Sequence, residues 1–394
     1  MKIFTQKRIK KTTVPKTNKS YSTIIKSYSS DFVETKHVSL FKNKYENRTK
    51  TTFLNKNHFQ LFAFCILMIS IIQESSDNDS FRNLLATSKI AIKIAEKGRQ
   101  EILSTNYTGG YPTRTYINGV SVTPSGGRIV NLNAKNSIVR MEWDYNLANI
   151  SYMFYQLTNI TEVDLSEVNC AQIWNMSNMF SGCSNITSIN LNNFKTDKVV
   201  NMVSLFSQCY SLISIDVTRF DTRKVEYMHY MFKGCHLFTS INVSNFDTSK
   251  VLDMSSMFAD CRTLTSLDIS NFDTSLVVTT GHMFNGCINL ISLNLSNFNT
   301  WELKYWDNMF KNCYNLAYIN LINGKENIIS NMANILLNTM DNMVFCVDQP
   351  KIPKFKAEID KKNCKVYDCE HDWRSVQKKI DPVTKQCIDS CQEI

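Results

Sequence analysis

Thirteen cysteines and six histidines are the side chains of this 394-residue chain that could bind a metal or carry redox chemistry. Six cysteines recur at every twenty-sixth position: Cys183, Cys209, Cys235, Cys261, Cys287 and Cys313. In stacked strands their Cα atoms would lie about 4.8 Å apart, within the range that a disulfide can bridge. They share one inward-facing column, however, where cysteine behaves as a small apolar residue. We therefore predict a packed column of thiols, with disulfides or a metal site as the alternatives.

Five further cysteines lie together near the C-terminal end: Cys346, Cys364, Cys369, Cys387 and Cys391. A cysteine-rich segment too small for its own core is typical of exported, disulfide-bonded proteins, so we predict disulfides here. Zinc is the alternative, with ligands drawn from Cys364, Cys369, His371, Cys387 and Cys391. Because five is an odd number, one thiol is free, pairs with another chain, or bonds to Cys170.

Catalytic constellations are absent from the sequence. The histidines, at positions 37, 58, 229, 236, 282 and 371, share no repeat column. No acid, base and nucleophile recur together, and neither a phosphate loop nor a zinc-hydrolase motif occurs. We therefore predict no catalytic residue, metal or cofactor, and interpret His229, His236 and His282 as surface substitutions. A hydrolase with its site in a flanking segment is the alternative.

The net charge of +9 is concentrated at the N-terminal end. Residues 1–57 hold 14 Lys and Arg against 3 Asp and Glu, and the other residues together carry −2. Residues 151–325 contain 11 basic and 14 acidic side chains without a stripe of either sign, which argues against nucleic-acid binding. A hydrophobic content of 43% excludes wholesale disorder.

Two predictions concern the segment 1–72. Residues 1–57 are rich in Lys, Thr, Ser and Asn, so we expect a disordered segment. The run LFAFCILMISII at 61–72 would span about 18 Å as a helix, too short for a full membrane crossing. It fits the apolar part of a secretory signal or a short signal anchor, with a buried core helix as the alternative. The basic flank predicts a cytoplasmic N-terminus, with later residues outside and membrane contact through 58–72 if uncleaved.

The period shown by the cysteines dominates the rest of the chain. A phenylalanine column with the same spacing comprises Phe154, Phe180, Phe206, Phe232, Phe258, Phe284 and Phe310, and a threonine column Thr196, Thr222, Thr248, Thr274 and Thr300. Leu267 and Ile269 alternate with polar residues, which predicts a short strand. Val251, Met254, Met257 and Phe258 follow a helical period. The residues before the cysteines, such as Gly182 and Asn312, suit left-handed geometry. We predict an α/β solenoid of about seven right-handed coils, each a short parallel strand plus a short helix.

The repeat resembles known families. The spacing L-x-x-L-x-L-x-x-F resembles a leucine-rich repeat. The unit MFxGCxxLxSLdlSNFdTSxVxxM is similar to the 26-residue repeat of BspA-like bacterial and protist surface proteins. Met257-Phe258, Cys261 and Leu264-Thr-Ser-Leu267-Asp-Ile269-Ser-Asn-Phe272-Asp-Thr-Ser carry the match. The departures are Leu157 for Cys, Thr280 and Trp306 for Met, and Gly324 for Phe. The resemblance covers 151–325 and implies adhesion to a host or matrix.

Flanking segments should close the two ends of the stack. Ile90, Ile92 and Ile94 alternate with less apolar residues, and Asn118-Gly119 is a hairpin signal, so we predict a β-rich N-terminal cap at 73–150. Repeats follow at 151–325. Ile328, Ile329, Met332, Ile335 and Leu336 have a helical period, which predicts a helical, cysteine-containing C-terminal cap at 326–394.

Small polar side chains should form the exposed face of the strands. The candidate ligand-binding residues are Ser214, Asp216, Ser240, Asn242, Ser266, Asp268, Ser292 and Asn294. A solubilising surface without a ligand is the alternative interpretation. Asn242 and Asn294 also lie in N-glycosylation sequons, and a glycan at either would move the ligand elsewhere.

These observations favour an exported, non-catalytic surface protein that binds a protein or glycan through this face. We expect it at the cell surface or outside the cell, or anchored in the membrane. The alternatives are a coat or spacer protein without a specific ligand and an intracellular interaction scaffold.

Overall fold

The computed structural model describes residues 87–327, 329–380 and 387–388. The predictions for residues 1–57 and 58–72, and those involving Ile328 and Cys391, lie outside the described residues. Within the described part of the chain, no helix is both long and apolar enough to span a bilayer.

Two sheets precede and open the repeats. The larger has the strand order β4-β3-β6-β1-β7-β8 and is antiparallel except for its last pair, β7 and β8. Its strands are β1 (Ser88–Ile94), β3 (Arg114–Ile117), β4 (Val120–Val122), β6 (Ser137–Trp143), β7 (Ile160–Glu167) and β8 (Ser188–Asn190). The smaller pairs β2 (Gly98–Glu101) with β5 (Ile129–Leu132). The predicted alternation buries Ile90, Ile92 and Ile94 in β1. The predicted hairpin turn lies at Asn118 and Gly119, both with positive φ.

The repeats form a solenoid, as predicted, of eight coils where seven were expected. A ladder of parallel bridges links one residue of each coil to its equivalent in the next: Asn149, Asn175, Asn201, Tyr227, Asp253, Thr279, Tyr305 and Asn331. The interval between successive residues of the ladder is constant, which keeps the coils in register. Every column of the sequence therefore becomes a row of neighbours along the stack.

The prediction of a short helix in each repeat is wrong. An α-helix would require each N–H to donate to the carbonyl four residues earlier. Instead, the N–H groups of Ser256 and Phe258 donate to the carbonyls of Gly281 and Met283 in the next coil, both at 3.0 Å. Between them, the N–H of Ala259 donates to Ser256, three residues back, at 3.1 Å. The segment is a row of overlapping β-turns, and the architecture is a β-solenoid.

The turns explain the residues that tolerate left-handed geometry. Ser256 and Asp260, four residues apart, have φ of 53° and 59°. The six residues before the column cysteines all have positive φ: Gly182, Gln208, Gly234, Asp260, Gly286 and Asn312. Positive φ at the third residue of a turn is what a type II turn requires. The left-handed geometry was predicted correctly, although it ends a turn and not a helix.

Aromatic and sulfur side chains fill the interior. The seven rings of the phenylalanine column are buried and stack on one another, with centroids of successive rings 5.6–6.0 Å apart. The two departures from the methionine column, Thr280 and Trp306, are buried as well. One core therefore runs from the N-terminal sheet through the coils.

The C-terminal segment also differs from its prediction. The helical period of Ile329, Met332, Ile335 and Leu336 predicts a helix, but residues 331–339 form the turns of the eighth coil, and the helical cap predicted from these positions is absent from the described residues. A parallel sheet of order β12-β11-β10-β9 closes this end. Its strands are β9 (Ser292–Asn294), β10 (Tyr318–Leu321), β11 (Val344–Val347) and β12 (Val366–Tyr367). The other elements are a 3-10 helix (Gln349–Lys351), α1 (Pro353–Ile359), α2 (Trp373–Val376), β13 (Lys379–Ile380) and β14 (Cys387–Ile388).

Candidate binding surface

The eight predicted ligand-binding residues lie in four successive coils, two per coil. All are exposed except Ser292, which is half-buried. They repeat at the spacing of the coils, so Ser214, Ser240 and Ser266 form one row, and Asp216, Asn242 and Asp268 another. Only the Ser292–Asn294 pair lies in a strand, β9. The strand predicted around Leu267 and Ile269 is extended chain without strand pairing. We call the two rows, completed by Ser292 and Asn294, the polar face.

Local hydrogen bonds hold the acidic and amide side chains of the polar face. Asp216 Oδ1 accepts from the N–H of Thr218 at 3.0 Å and from its hydroxyl at 2.6 Å. Asn242 and Asp268 make the same turn, with Ser244 and Ser270 as the donors. The second carboxylate oxygen of Asp216 or Asp268 is left for a ligand donor. These side chains are pre-ordered acceptors.

The hydrogen bonds also fix the charge of the polar face. The hydroxyl of Thr218, followed by its N–H, lowers the pKa of Asp216 below its ordinary value. The hydroxyl and N–H of Ser270 lower the pKa of Asp268 in the same way. Both carboxylates are therefore ionised at neutral pH, and they can accept hydrogen bonds from sugar hydroxyls, amides or cationic side chains.

Aspartate and asparagine alternate along this row. Successive coils carry Asp164, Asn190, Asp216, Asn242, Asp268 and Asn294. Adjacent rungs lie about 4.8 Å apart, so the alternation roughly doubles the separation of like charges. Asn190 Nδ2 donates to Asp164 Oδ1 at 3.0 Å, which shows how the amide can also bridge two rungs. The face therefore presents one negative charge for every two coils.

The six column cysteines are buried free thiols. Each Sγ–H donates to the backbone carbonyl of the phenylalanine one coil earlier, as from Cys261 to Phe232 at 3.2 Å. Burial raises the pKa of Cys183, Cys261 and Cys313 to about 12, and that of Cys209, Cys235 and Cys287 well above 9. A thiolate is the reactive form, so these side chains are inert at neutral pH.

The threonine column has a role that the sequence did not reveal. The hydroxyl of Thr222 donates to the carbonyl of Asp247 in the next coil at 2.9 Å and accepts that residue's N–H at 2.7 Å. The other four hydroxyls donate in the same way, at 2.6–3.0 Å. All five threonines are buried. They join the coils along the edge that follows the polar face.

The tail cysteines lie outside the four coils that carry the polar face. Cys346 is bonded to Cys369, and Cys364 to Cys387. These pairings use three of the cysteines considered as zinc ligands. Cys170 is a buried free thiol. Across the described ranges, no three His, Cys, Asp or Glu side chains are placed to hold a metal ion.

Next to the polar face lies a cluster that sequence reasoning missed. Tyr210 and Ile213 of the third coil, His236 and Leu237 of the fourth, and Arg262 of the fifth occupy the segment between the cysteine column and the serine row. Ile213 is 62% exposed, Leu237 42% and Tyr210 38%. We call these five residues the aromatic margin. The sequence offers little signal for it, because the column of Tyr210, His236 and Arg262 changes residue type from coil to coil and also holds Ser184, Ile288 and Tyr314.

Comparison with known proteins agrees with a repeat architecture. The family model described as "Mycoplasma protein of unknown function, DUF285" matches residues 148–242 and, a second time, 232–343. The coils are thus similar to that family from the first to the eighth. No curated protein matches the chain.

Proposed function

We propose that this chain is an exported repeat protein that binds a protein or glycan at a cell surface or in a matrix, and that it catalyses no reaction. The polar face carries this proposal: ionised, pre-ordered acceptors stand in register on a rigid stack. Stacked repeats commonly offer such extended surfaces to ligands. The resemblance of the unit around Cys261 to BspA-like surface repeats, and of its spacing to leucine-rich repeats, supports the same function.

The tail supports the proposed location. Disulfides such as Cys346–Cys369 form and persist in oxidising compartments, which for most organisms means export. The basic segment 1–57 followed by the apolar run 61–72 favours entry into a secretory route, with membrane contact through that run if it is uncleaved.

The chemistry of the polar face suggests weak individual contacts. Serine, asparagine and aspartate offer hydrogen bonds without aromatic anchors, which usually dominate tight interfaces. Many copies on one surface would compensate, because linked sites raise the effective concentration of each other. We therefore expect modest affinity for one copy and strong retention by a surface that carries many.

Two alternatives rest on specific observations. A coat or spacer protein would need only the rigid stack, for which the threonine and thiol rows suffice. An intracellular scaffold would be compatible with the seven buried free thiols of the described residues, because thiols remain reduced in the cytosol.

Protease treatment of intact cells tests the location. We expect an added protease to remove epitopes of residues 87–380 from living cells, while a cytosolic marker stays intact. Complete protection of the chain on cells, together with digestion after lysis, would establish the scaffold alternative.

Binding of the full-length chain to immobilised matrix proteins and glycans tests the function. We expect saturable binding that is lost in Ser266→Arg and Asp268→Arg, because each puts a bulky cation on the polar face. Ser275→Arg is the matched control, since the column of Ser275 already holds Arg223 in another coil. If the chain binds none of the probes saturably, the coat or spacer alternative is supported.

A further inference from the structure

The aromatic margin combines exposed rings, aliphatic side chains and an arginine beside the polar face. We propose that it is the anchoring site for an acidic oligosaccharide, a glycan of several sugars that contains a uronic or sialic acid. This inference rests on the proposed binding function and names the class of its ligand.

The rings supply the stacking surface. Tyr210 and His236 stack with their centroids 4.5 Å apart and their planes at 22°. The same column holds Ser184 in the preceding coil, whose small side chain cannot cover the far face of the Tyr210 ring. An exposed aromatic face next to polar groups suits a pyranose, which presents C–H groups on one side and hydroxyls at its rim. Ile213 and Leu237 extend the apolar floor.

Backbone contacts hold the margin in place. The Thr263 hydroxyl lies 2.7 Å from the carbonyl oxygen of His236 and 2.9 Å from that of Phe238, so the fifth coil fixes the segment that carries His236 and Leu237. The N–H of Ser211, next to Tyr210, donates to the carbonyl of Ser184 at 3.1 Å. A surface fixed before binding loses little conformational entropy when a ligand docks.

Arginine gives the site its charge preference. Arg262 is exposed, and no ion pair joins it to another described residue. It lies close enough to His236 to disfavour the imidazolium, although burial lowers the pKa of His236 more. Asp260, whose charge raises the pKa of His236, has its Oδ1 directed over Gly286 of the next coil. A planar guanidinium without a partner can bind a carboxylate through two hydrogen bonds.

A sugar fits this surface better than a folded protein partner. The apolar part is only a few side chains wide, whereas a stable protein interface buries roughly 800 Å² on each side. Hydroxyl groups border it: Thr239 and Thr265 lie in the column of Ile213, and Ser240 lies in the next column. One sugar stacked on the far face of Tyr210, with an acidic sugar further along the same glycan placing its carboxylate at Arg262 and its hydroxyls toward these side chains, would use every element of the margin.

Calorimetric titration of the full-length chain tests the proposal. The acidic probes are a hyaluronan decasaccharide, which contains uronic acids, and sialyllactose, which contains a sialic acid; chitopentaose is the neutral comparator. We expect saturable binding of at least one acidic probe. Loss of one ring should weaken it about tenfold or more in Tyr210→Ser, since aromatic anchors dominate such contacts. Serine is tolerated in this column, as Ser184 shows.

The charge is tested separately. Arg262→Gln should weaken the acidic probe about fivefold or more and leave chitopentaose unchanged. Tyr314→Ala, in the same column and 55% exposed, and Arg219→Gln, also an exposed arginine, are matched controls that should bind as the unaltered chain does. Circular dichroism verifies that each variant is folded.

Three results would overturn the inference. If the chain binds neither acidic probe, the ligand class is refuted. If Tyr210→Ser and Arg262→Gln bind an acidic probe as tightly as the unaltered chain does, the site is refuted. A protein ligand that is lost in Tyr210→Ser would assign the margin to a protein partner instead. The proposed function survives all three if another ligand still binds in a manner sensitive to Asp268→Arg, and it fails only if no probe binds at all.

Discussion

The Sγ of Cys235 lies 3.3 Å from the carbonyl oxygen of Phe206, one coil earlier in the stack. That carbonyl also accepts the N–H of Cys209 in its own coil. The thiol is thus a hydrogen-bond donor between coils, repeated six times, and donation requires that it keep its proton. Leu157 replaces cysteine in the first coil, where no preceding repeat coil offers a carbonyl for a thiol to bond.

The thiol column should make the protein unstable at high pH. Burial raises the pKa of Cys183, Cys261 and Cys313 to about 12, whereas an unfolded thiol titrates near 9. Between these values the unfolded chain loses protons that the folded chain retains. The free energy of unfolding therefore falls as pH rises from 9 toward 12, by up to about 1.4 kcal/mol per pH unit for each thiol.

Urea denaturation at pH 8, 9, 10 and 11 measures this dependence. Tyrosine and lysine ionise in the same range, so the double variant Cys235→Ala with Cys261→Ala serves as the comparison. Its slope against pH should be smaller by up to about 2.7 kcal/mol per pH unit. Identical slopes for the two proteins would refute the linkage to the thiols.

Removal of one hydroxyl from the threonine column should destabilise the stack. Thr248→Val keeps the shape of the side chain but leaves the carbonyl of Asp273 without the bond that it accepts at 2.8 Å. Asp273 is exposed, so water can replace part of the lost bond, and the loss should be about 0.5–1.5 kcal/mol. Thr265→Val, at an exposed threonine one coil further on, should change stability by less than about 0.5 kcal/mol. Thermal denaturation of the two variants side by side decides; equal losses would contradict a special role for the column.

Glycine at the end of a turn should be required where the next side chain is close. Gly286 has φ of 77°, and an added Cβ would lie 2.6 Å from Oδ1 of Asp260. Gly286→Ala should lower the free energy of unfolding by roughly 1–2 kcal/mol. The opposite change at the equivalent position, Gln208→Gly, should be neutral or stabilising, since φ is already 60° there. Chemical denaturation compares them, and a stable Gly286→Ala would show that the turn relaxes.

Reduction of the disulfides should release the tail without unfolding the coils. Cys346–Cys369 and Cys364–Cys387 each link residues 23 apart, and closing such a loop is worth about 3 kcal/mol. Lys362 adds an ordinary hydrogen bond, from Nζ to the carbonyl of Thr339 at 3.0 Å. Limited proteolysis with and without reductant should show new cleavage within 360–380 only after reduction. Cleavage within 151–325 at the same rate would mean that the coils depend on the tail.

Period and burial could be predicted from the sequence, but hydrogen bonding could not. The constant repeat interval placed the phenylalanine and cysteine columns in the core because identical positions of stacked units must share an environment. The pattern of Val251, Met254 and Phe258 predicts a helix because overlapping four-residue turns repeat their buried positions at nearly the spacing of a helix. Asn308 and Asn312, four apart and both suited to positive φ, were the signal against a helix.

The polar face could be predicted from the sequence, whereas the aromatic margin could not. The residues of the polar face repeat, so one unit predicted all of them. The column of Tyr210, His236 and Arg262 changes residue type from each coil to the next, and a consensus unit removes such residues. Their proximity depends on the stacking of different coils, which no single repeat contains.

The ladder from Asn149 to Asn331 also determines how the molecule would respond to pulling. A force between its ends acts along the stack, so the coils separate one after another, each breaking the row of hydrogen bonds to its neighbour. Each coil that peels away would add about 90 Å of extended chain. A protein that tethers a cell to a surface would then lengthen in even steps and dissipate work at each one, before the tether itself broke.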